Sequence, residues 1–200
     1  MAVPSAKHAT FGVGGEVAAM DHPDEPGDDK AEWVLRCVPA TLHNAPDKIV
    51  PAIDAILDET AEQYDRILLA FGDCGTGGRL DRLCERRGVE RLPGAHCYAF
   101  FAGLPAFDAM MEEELGTFFL TDFLARQFDA MVMRPLGLDR KPELRDLYFG
   151  NYTRLVFLSQ TADPDLLGRA KTAAATLGLA FEHRPTGLSP FARELSRLAA

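Results

Sequence analysis

The residues of this chain able to hold a soft metal ion or attack an electrophile are Cys37, Cys74, Cys84 and Cys97, with His43 and His96 beside them in sequence. Three of the cysteines fall in the glycine-rich stretch "FGDCGTGGRLDRLCERRGVERLPGAHCYAFFAG", Phe71 to Gly103. Thiolate sulfur and imidazole nitrogen suit zinc, at about 2.3 and 2.0–2.1 Å, and thiolates also hold iron–sulfur clusters. A thiol beside an imidazole base is equally the pair needed for nucleophilic catalysis without metal. Both chemistries are open at this point.

The cysteines differ in what their surroundings imply. Cys84 shares a helical stripe with Leu80 and Leu83 and reads as an inert core residue. Cys74 adjoins glycine in a strand-to-helix turn, where backbone N–H groups and a helix dipole favour the thiolate, so it ranks first as a reactive or ligating sulfur. His96 and Cys97 are adjacent, and in an extended chain they point to opposite faces, so both serve one ion only if the loop turns there. His43, in "LHNAP", either reaches the same edge or is an exposed neighbour of a capping Asn44. His8 and His22 read as solvated bystanders, and His183 ends the last expected strand with no evident partner.

Several familiar constellations are missing. The chain has no C-x-x-C and no G-x-S-x-G elbow. The loop "GDCGTGGR" invites a nucleotide reading, yet it lacks both the G-x-G-x-x-G spacing and the Walker lysine. Its Gly75 and Gly77, with His43, are therefore kept as candidate cofactor or anion contacts. Glu112, Glu113 and Glu114 read as a solvated helix face, and the Phe100-Phe101 and Phe118-Phe119 pairs as core.

The elements that must position these residues alternate. Strands are expected at Trp33–Val38, Arg66–Phe71 and Val89–Leu92, with helices from about Ile49 to Tyr64 and around Leu80 to Cys84. Helical spacing of Phe107, Met110 and Met111, then of Leu120, Phe123, Leu124, Phe128 and Met131, predicts an all-helical insertion over about 104–147. A strand at Tyr152–Leu158, a helix at Pro164–Leu177, a strand at Leu179–His183 and a helix at Ser189–Leu198 follow. This alternation predicts an α/β fold, an open and mostly parallel sheet with helices on both faces. Ligands of such a sheet bind at the carboxyl ends of its strands, where Cys37, Cys74 and His96-Cys97 converge if their strands are neighbours.

At 200 residues and 47 % hydrophobic content, one domain with one core is expected over residues 31–200. The acidic, proline-containing residues 1–30 read as a mobile tail. Thirty acidic against 21 basic residues, a net charge of −9, oppose binding to nucleic acid or to an anionic membrane. With neither a membrane-length apolar run nor a secretory h-region, the expected location is cytoplasmic, where thiols stay reduced.

The texts "CVPATLHNAP", "GDCGTGG", "GAHCYAFFAG", "GTFFLTDFL" and "YFGNYTRLVFL" jointly resemble the family named domain of unknown function 1638, from about Trp33 to the C-terminus. The resemblance implies that Cys37, Cys74, His96 and Cys97 belong to the family pattern and that Cys84 does not. It also implies a place near corrinoid-dependent methyltransferase systems for methylamines and related compounds, with a corrinoid protein or a methyltransferase as partner.

The first expectation is thus a metal-binding α/β protein of one-carbon metabolism. Cys37, Cys74, Cys97 and His96 would hold zinc, or iron or an iron–sulfur cluster, under a lid formed by the helical insertion. The alternatives are a metal-free thiol enzyme with Cys74 as nucleophile and His96 or His43 as base, or a corrinoid- or partner-binding module without chemistry of its own.

Overall fold

The computed structural model describes residues 7–13, 32–113 and 115–199. They divide into two compact units, one ending at His96 and the other running from Cys97 to Ala199. Each has its own parallel sheet, so the α/β class holds, with its strands shared between two sheets.

In the first unit the strands β1 (Lys7–Val13), β2 (Glu32–Val38), β3 (Arg66–Leu69) and β4 (Glu90–Arg91) lie in the order β2-β1-β3-β4, all parallel. Lys7–Val13, which composition assigns to a mobile tail, is instead an inner strand. It pairs over seven residues with β2 and over four with β3. A ladder on both sides satisfies its backbone donors and acceptors, which outweighs the weak apolar content of its neighbourhood. Residues 1–6 and 14–31, where the rest of that expectation falls, lie outside the described residues, His22 among them.

Helix α1 (Pro46–Thr60) starts with proline at its first position, where the missing N–H costs nothing, and Pro51 falls early enough in the helix to be accommodated. It buries Ile49, Ile53 and Leu57, spaced by four, against Ile67 and Leu69 of β3 and against Leu80, Leu83 and Cys84 of α2 (Arg79–Arg87). Cys84 is thus the core residue its stripe predicts, and burial pushes its thiol pKa up. Gly88, left-handed at φ 64°, ends α2 as a cap.

The second unit carries β5 (Thr117–Thr121), β6 (Arg154–Ser159) and β7 (Ala180–Pro185) in the order β5-β6-β7, again parallel. The span 104–147, expected to be all helical, is interrupted by β5. Helical spacing of its apolar residues competes there with strand formers in a row, Thr117, Phe118 and Phe119, entered through Gly116. A Cβ at Gly116 would lie 3.0 Å from the Asn151 carbonyl oxygen, so this close approach requires glycine.

Around β5 lie α3 (Tyr98–Ala102), α4 (Leu104–Glu113) and α5 (Asp122–Arg126), then a π-helical turn at Asp129–Met133 and α6 (Arg145–Phe149). Phe119 packs at a tilt against Phe107 and Tyr98, with ring centroids 5.1 and 5.7 Å away. Helix α7 (Pro164–Leu177) is capped by Asp163, whose carboxylate accepts from the Asp165 amide at 2.9 Å, and it ends at left-handed Gly178 as its sequence predicts. Helix α8 (Ser189–Ala199) closes the chain, with Phe191 against Phe101 of α3. No helix among the described residues is long and apolar enough to cross a membrane.

Candidate functional site

The carboxyl edge of the first sheet gathers the loops that leave β2, β3 and β4. From β3 the chain runs through Phe71 and Gly72 into the turn of Asp73 and Cys74, and from β4 it runs through Leu92 to Gly94, Ala95 and His96. The two loops lie side by side: the Asp73 amide donates to the Gly94 carbonyl at 3.0 Å and the Cys74 amide to the Ala95 carbonyl at 2.9 Å. They can approach because residue 72 is glycine; a Cβ there would sit 3.0 Å from the carbonyl carbon of His96. Sequence spacing alone leaves Cys74 and His96 in separate loops, and these bonds bring their backbones together.

Cys74 is the only non-glycine among the described residues with positive φ, at 49°. The left-handed region costs an ordinary side chain about 1–3 kcal/mol, and residues held there are concentrated at functional sites. The surrounding turn imposes it: Gly75, Gly77 and Gly78 follow with φ of 79°, 63° and 74°. The side chain of Cys74 is half-buried and packs on the core of the first unit.

Asp73, which the sequence reading passes over, organises this turn. Its carboxylate accepts from the Thr76 hydroxyl at 2.6 Å, from the Gly78 amide at 2.8 Å and from the Gly77 amide at 3.0 Å. Burial by itself would raise the Asp73 pKa; the Thr76 hydroxyl, the two glycine amides and the charge of Arg91 together hold it below the usual carboxylate value. The amides that could have met a phosphate, or favoured a Cys74 thiolate, are thus given to a carboxylate of the same turn. Gly77 is committed in this way, and Gly75 faces the ring of Pro46 at the start of α1. The signal in the text was Asp73 followed by Thr76-Gly77-Gly78, an aspartate able to bond its own backbone ahead of a helix.

Arg91, at the end of β4, fixes the other loop. Its guanidinium pairs with Asp81 of α2 and donates to the Leu92 carbonyl at 2.7 Å and the Gly94 carbonyl at 3.3 Å. The His96 loop is thereby tied to the helix that the Cys74 turn initiates.

His43 lies in the short 3-10 helix Ala40–Asn44 after β2. Part of its surface is exposed, yet protein crowds the ring enough that desolvation, and then the charge of a protonated His96, push its pKa below 6.5. Between the lower folded value and 6.5 the unfolded chain takes up a proton that the folded chain refuses. The contribution of His43 to stability is therefore complete above pH 6.5 and is lost as pH falls through the folded value. His43→Gln is expected to flatten this part of the profile, measured as urea midpoints from about pH 7.5 down to about pH 5; an unchanged profile would contradict it.

Cys37 is the penultimate residue of β2 and pairs in register with Gly12 of β1. Because β1 lies between β2 and β3, the strands carrying Cys37 and leading to Cys74 are not neighbours, and two strand spacings, roughly 10 Å, separate them. Cys97 opens the second unit, where its carbonyl accepts from the Phe100 amide at 3.1 Å at the start of α3. Among the described residues no three His, Cys, Asp or Glu side chains are grouped so as to hold a metal ion. The loops at the edge of the first unit carry Cys74, His96 and His43, and Cys37 lies near the end of β2.

Residues 37–195 match the family described as protein of unknown function (DUF1638). The chain belongs to the DUF1638 family. The matched span includes the Cys74 turn, His43 and His96, and all three strands of the second unit. No curated protein and no solved structure matches this DUF1638 member.

Proposed function

We propose that this DUF1638 protein carries a thiol–imidazole site at the carboxyl edge of its first sheet, with Cys74 as the reacting sulfur and His96 or His43 as its base. The observation that carries this reading is the left-handed backbone of Cys74, built into a turn that three glycines and the Asp73 carboxylate determine. His43, kept neutral near neutral pH, is fit to accept a proton. In the reaction the thiol proton passes to an imidazole nitrogen, the sulfur bonds to an electrophilic carbon, and the leaving group departs with the electron pair. A methyl or other alkyl group is the class of carbon that suits a sulfur nucleophile, in keeping with a role in or beside corrinoid-linked methyl-group metabolism.

Rapid alkylation tests this directly. In metal-free protein at pH 7.5, iodoacetamide is expected to modify Cys74 at least about tenfold faster than Cys84, followed by peptide mass spectrometry. Equal rates for the two would defeat the proposal.

A second reading is a zinc or iron site in which the same sulfur and imidazoles serve as ligands, favoured by the neutral state of His43, since an imidazole must be unprotonated to ligate. Cys74, His96 and His43 would be its protein ligands, and the metal would supply Lewis-acid activation of a bound sulfur. The side chains as placed do not gather into such a group, so the metal reading requires their rotation. Elemental analysis of protein purified without added metal decides it: one metal per chain, lost in Cys74→Ala and kept in Cys84→Ala, supports it, and a content near zero removes it.

A further inference from the structure

The carboxyl edge of the second sheet holds a separate arrangement that the thiol site does not use. His183 of β7 lies in register with Phe157 of the central strand β6, and the two rings stack with centroids 5.5 Å apart at 19°. Two residues along the same face of β6, the Ser159 hydroxyl lies 2.8 Å from Nε2 of His183. Ser159 is 4 % exposed, whereas His183 is exposed, so the pair has an inner hydroxyl and an outer ring. An exposed histidine ordinarily turns freely; here a stacked ring and a hydrogen bond restrain it independently.

Several backbone groups of the surrounding edge are already paired. The Ser159 carbonyl accepts from the Thr186 and Gly187 amides at 2.9 and 3.2 Å and from the Thr186 hydroxyl at 3.1 Å. The Gln160 and Thr161 amides donate to Asp122 at 3.1 and 2.8 Å. Nδ1 of His183 has no protein partner among the described residues and is left to solvent or a ligand. The chain runs on from Thr186 and Gly187, both held to Ser159, into Leu188, a large apolar side chain 52 % exposed.

The identity of that open nitrogen follows from the buried hydroxyl. Its hydrogen needs an acceptor, and Nε2 of His183 is the one at hand; a neutral ring therefore accepts at Nε2 and carries its proton on Nδ1. The opposite tautomer would strand a buried O–H. We propose that His183 is a ligand-binding residue of a second site, presenting a fixed Nδ1–H donor to a carbonyl or carboxylate oxygen whose apolar portion lies toward Leu188. Ser159 is its positioning residue. This reading is independent of the thiol site and survives if that site proves inert.

Long-range proton–nitrogen correlation spectra of the full chain at about pH 8 read the tautomer without any variant. The Nδ1–H form is expected in the wild type and a shift toward Nε2–H in Ser159→Ala; an Nε2–H ring in the wild type overturns the proposal. Titration with sodium acetate is expected to give saturable shifts at the Thr186, Gly187 and Leu188 amides, with affinity reduced about fivefold in His183→Ala. Equal affinity in the two proteins, or no saturable shift in the wild type, overturns it as well.

Discussion

Asp122→Ala is expected to remove about 2–4 kcal/mol from the stability of the second unit, read as an earlier urea midpoint. Asp122 is 7 % exposed, and its carboxylate accepts from the Gln160 amide at 3.1 Å, the Thr161 amide at 2.8 Å and the Thr161 hydroxyl at 2.5 Å. Its own amide donates to the Gln160 side chain at 3.0 Å. The residue sews the exit of β5 to that of β6, so truncation leaves several donors without an acceptor at a buried edge. Asp122→Asn retains one acceptor oxygen and is expected to lose less than Asp122→Ala. A midpoint for Asp122→Ala within experimental error of the wild type would mean that water enters and replaces the carboxylate.

Asp73→Ala is expected to cost about 1.5–3 kcal/mol in the first unit and to change the reactivity of Cys74 at the same time. Thr76, 2 % exposed, would lose the acceptor of its hydroxyl, and the Gly77 and Gly78 amides theirs. With the turn no longer fixed, Cys74 is expected to relax out of its left-handed conformation, and its alkylation rate to move away from the wild-type value. The pH dependence has a definite sign. The folded pKa of Asp73 lies below its ordinary value of 3.8, so its contribution is complete above that pH and is lost as pH falls through the lower folded value. Asp73→Asn is expected to abolish that acid-side loss. An unaltered alkylation rate in Asp73→Ala would separate the turn geometry from the chemistry of Cys74.

The parts of the fold that local chemistry dictates were readable. Helix α7 begins at Pro164 behind the Asp163 cap and stops at Gly178, and Cys84 is buried in the stripe that Leu80 and Leu83 define. What escaped depends on pairing between distant segments. Nothing near Lys7–Val13 announces a strand lying between β2 and β3, and that insertion makes the strand carrying Cys37 and the strand leading to Cys74 non-adjacent. The strand at Thr117–Thr121 was hidden because its apolar residues also fit a helical period, a conflict settled only by the ladder with β6. In the candidate site Cys74 stood out through its glycines, whereas Asp73 did not, because its role lies in bonds to the backbone of its own turn. His183 lacked a visible partner because Ser159 is 24 residues away and is brought opposite by strand register.

The Asp73 carboxylate amounts to a permanently attached competitor for its own loop. A free phosphate or carboxylate seeking the Gly77 and Gly78 amides must displace a group tethered only a few residues away, whose effective concentration is on the order of millimolar or higher. Anions dissolved at micromolar levels lose that contest by mass action. If Cys74 reacts as proposed, the substrates that suit its edge are those that do not need the loop's amides at all.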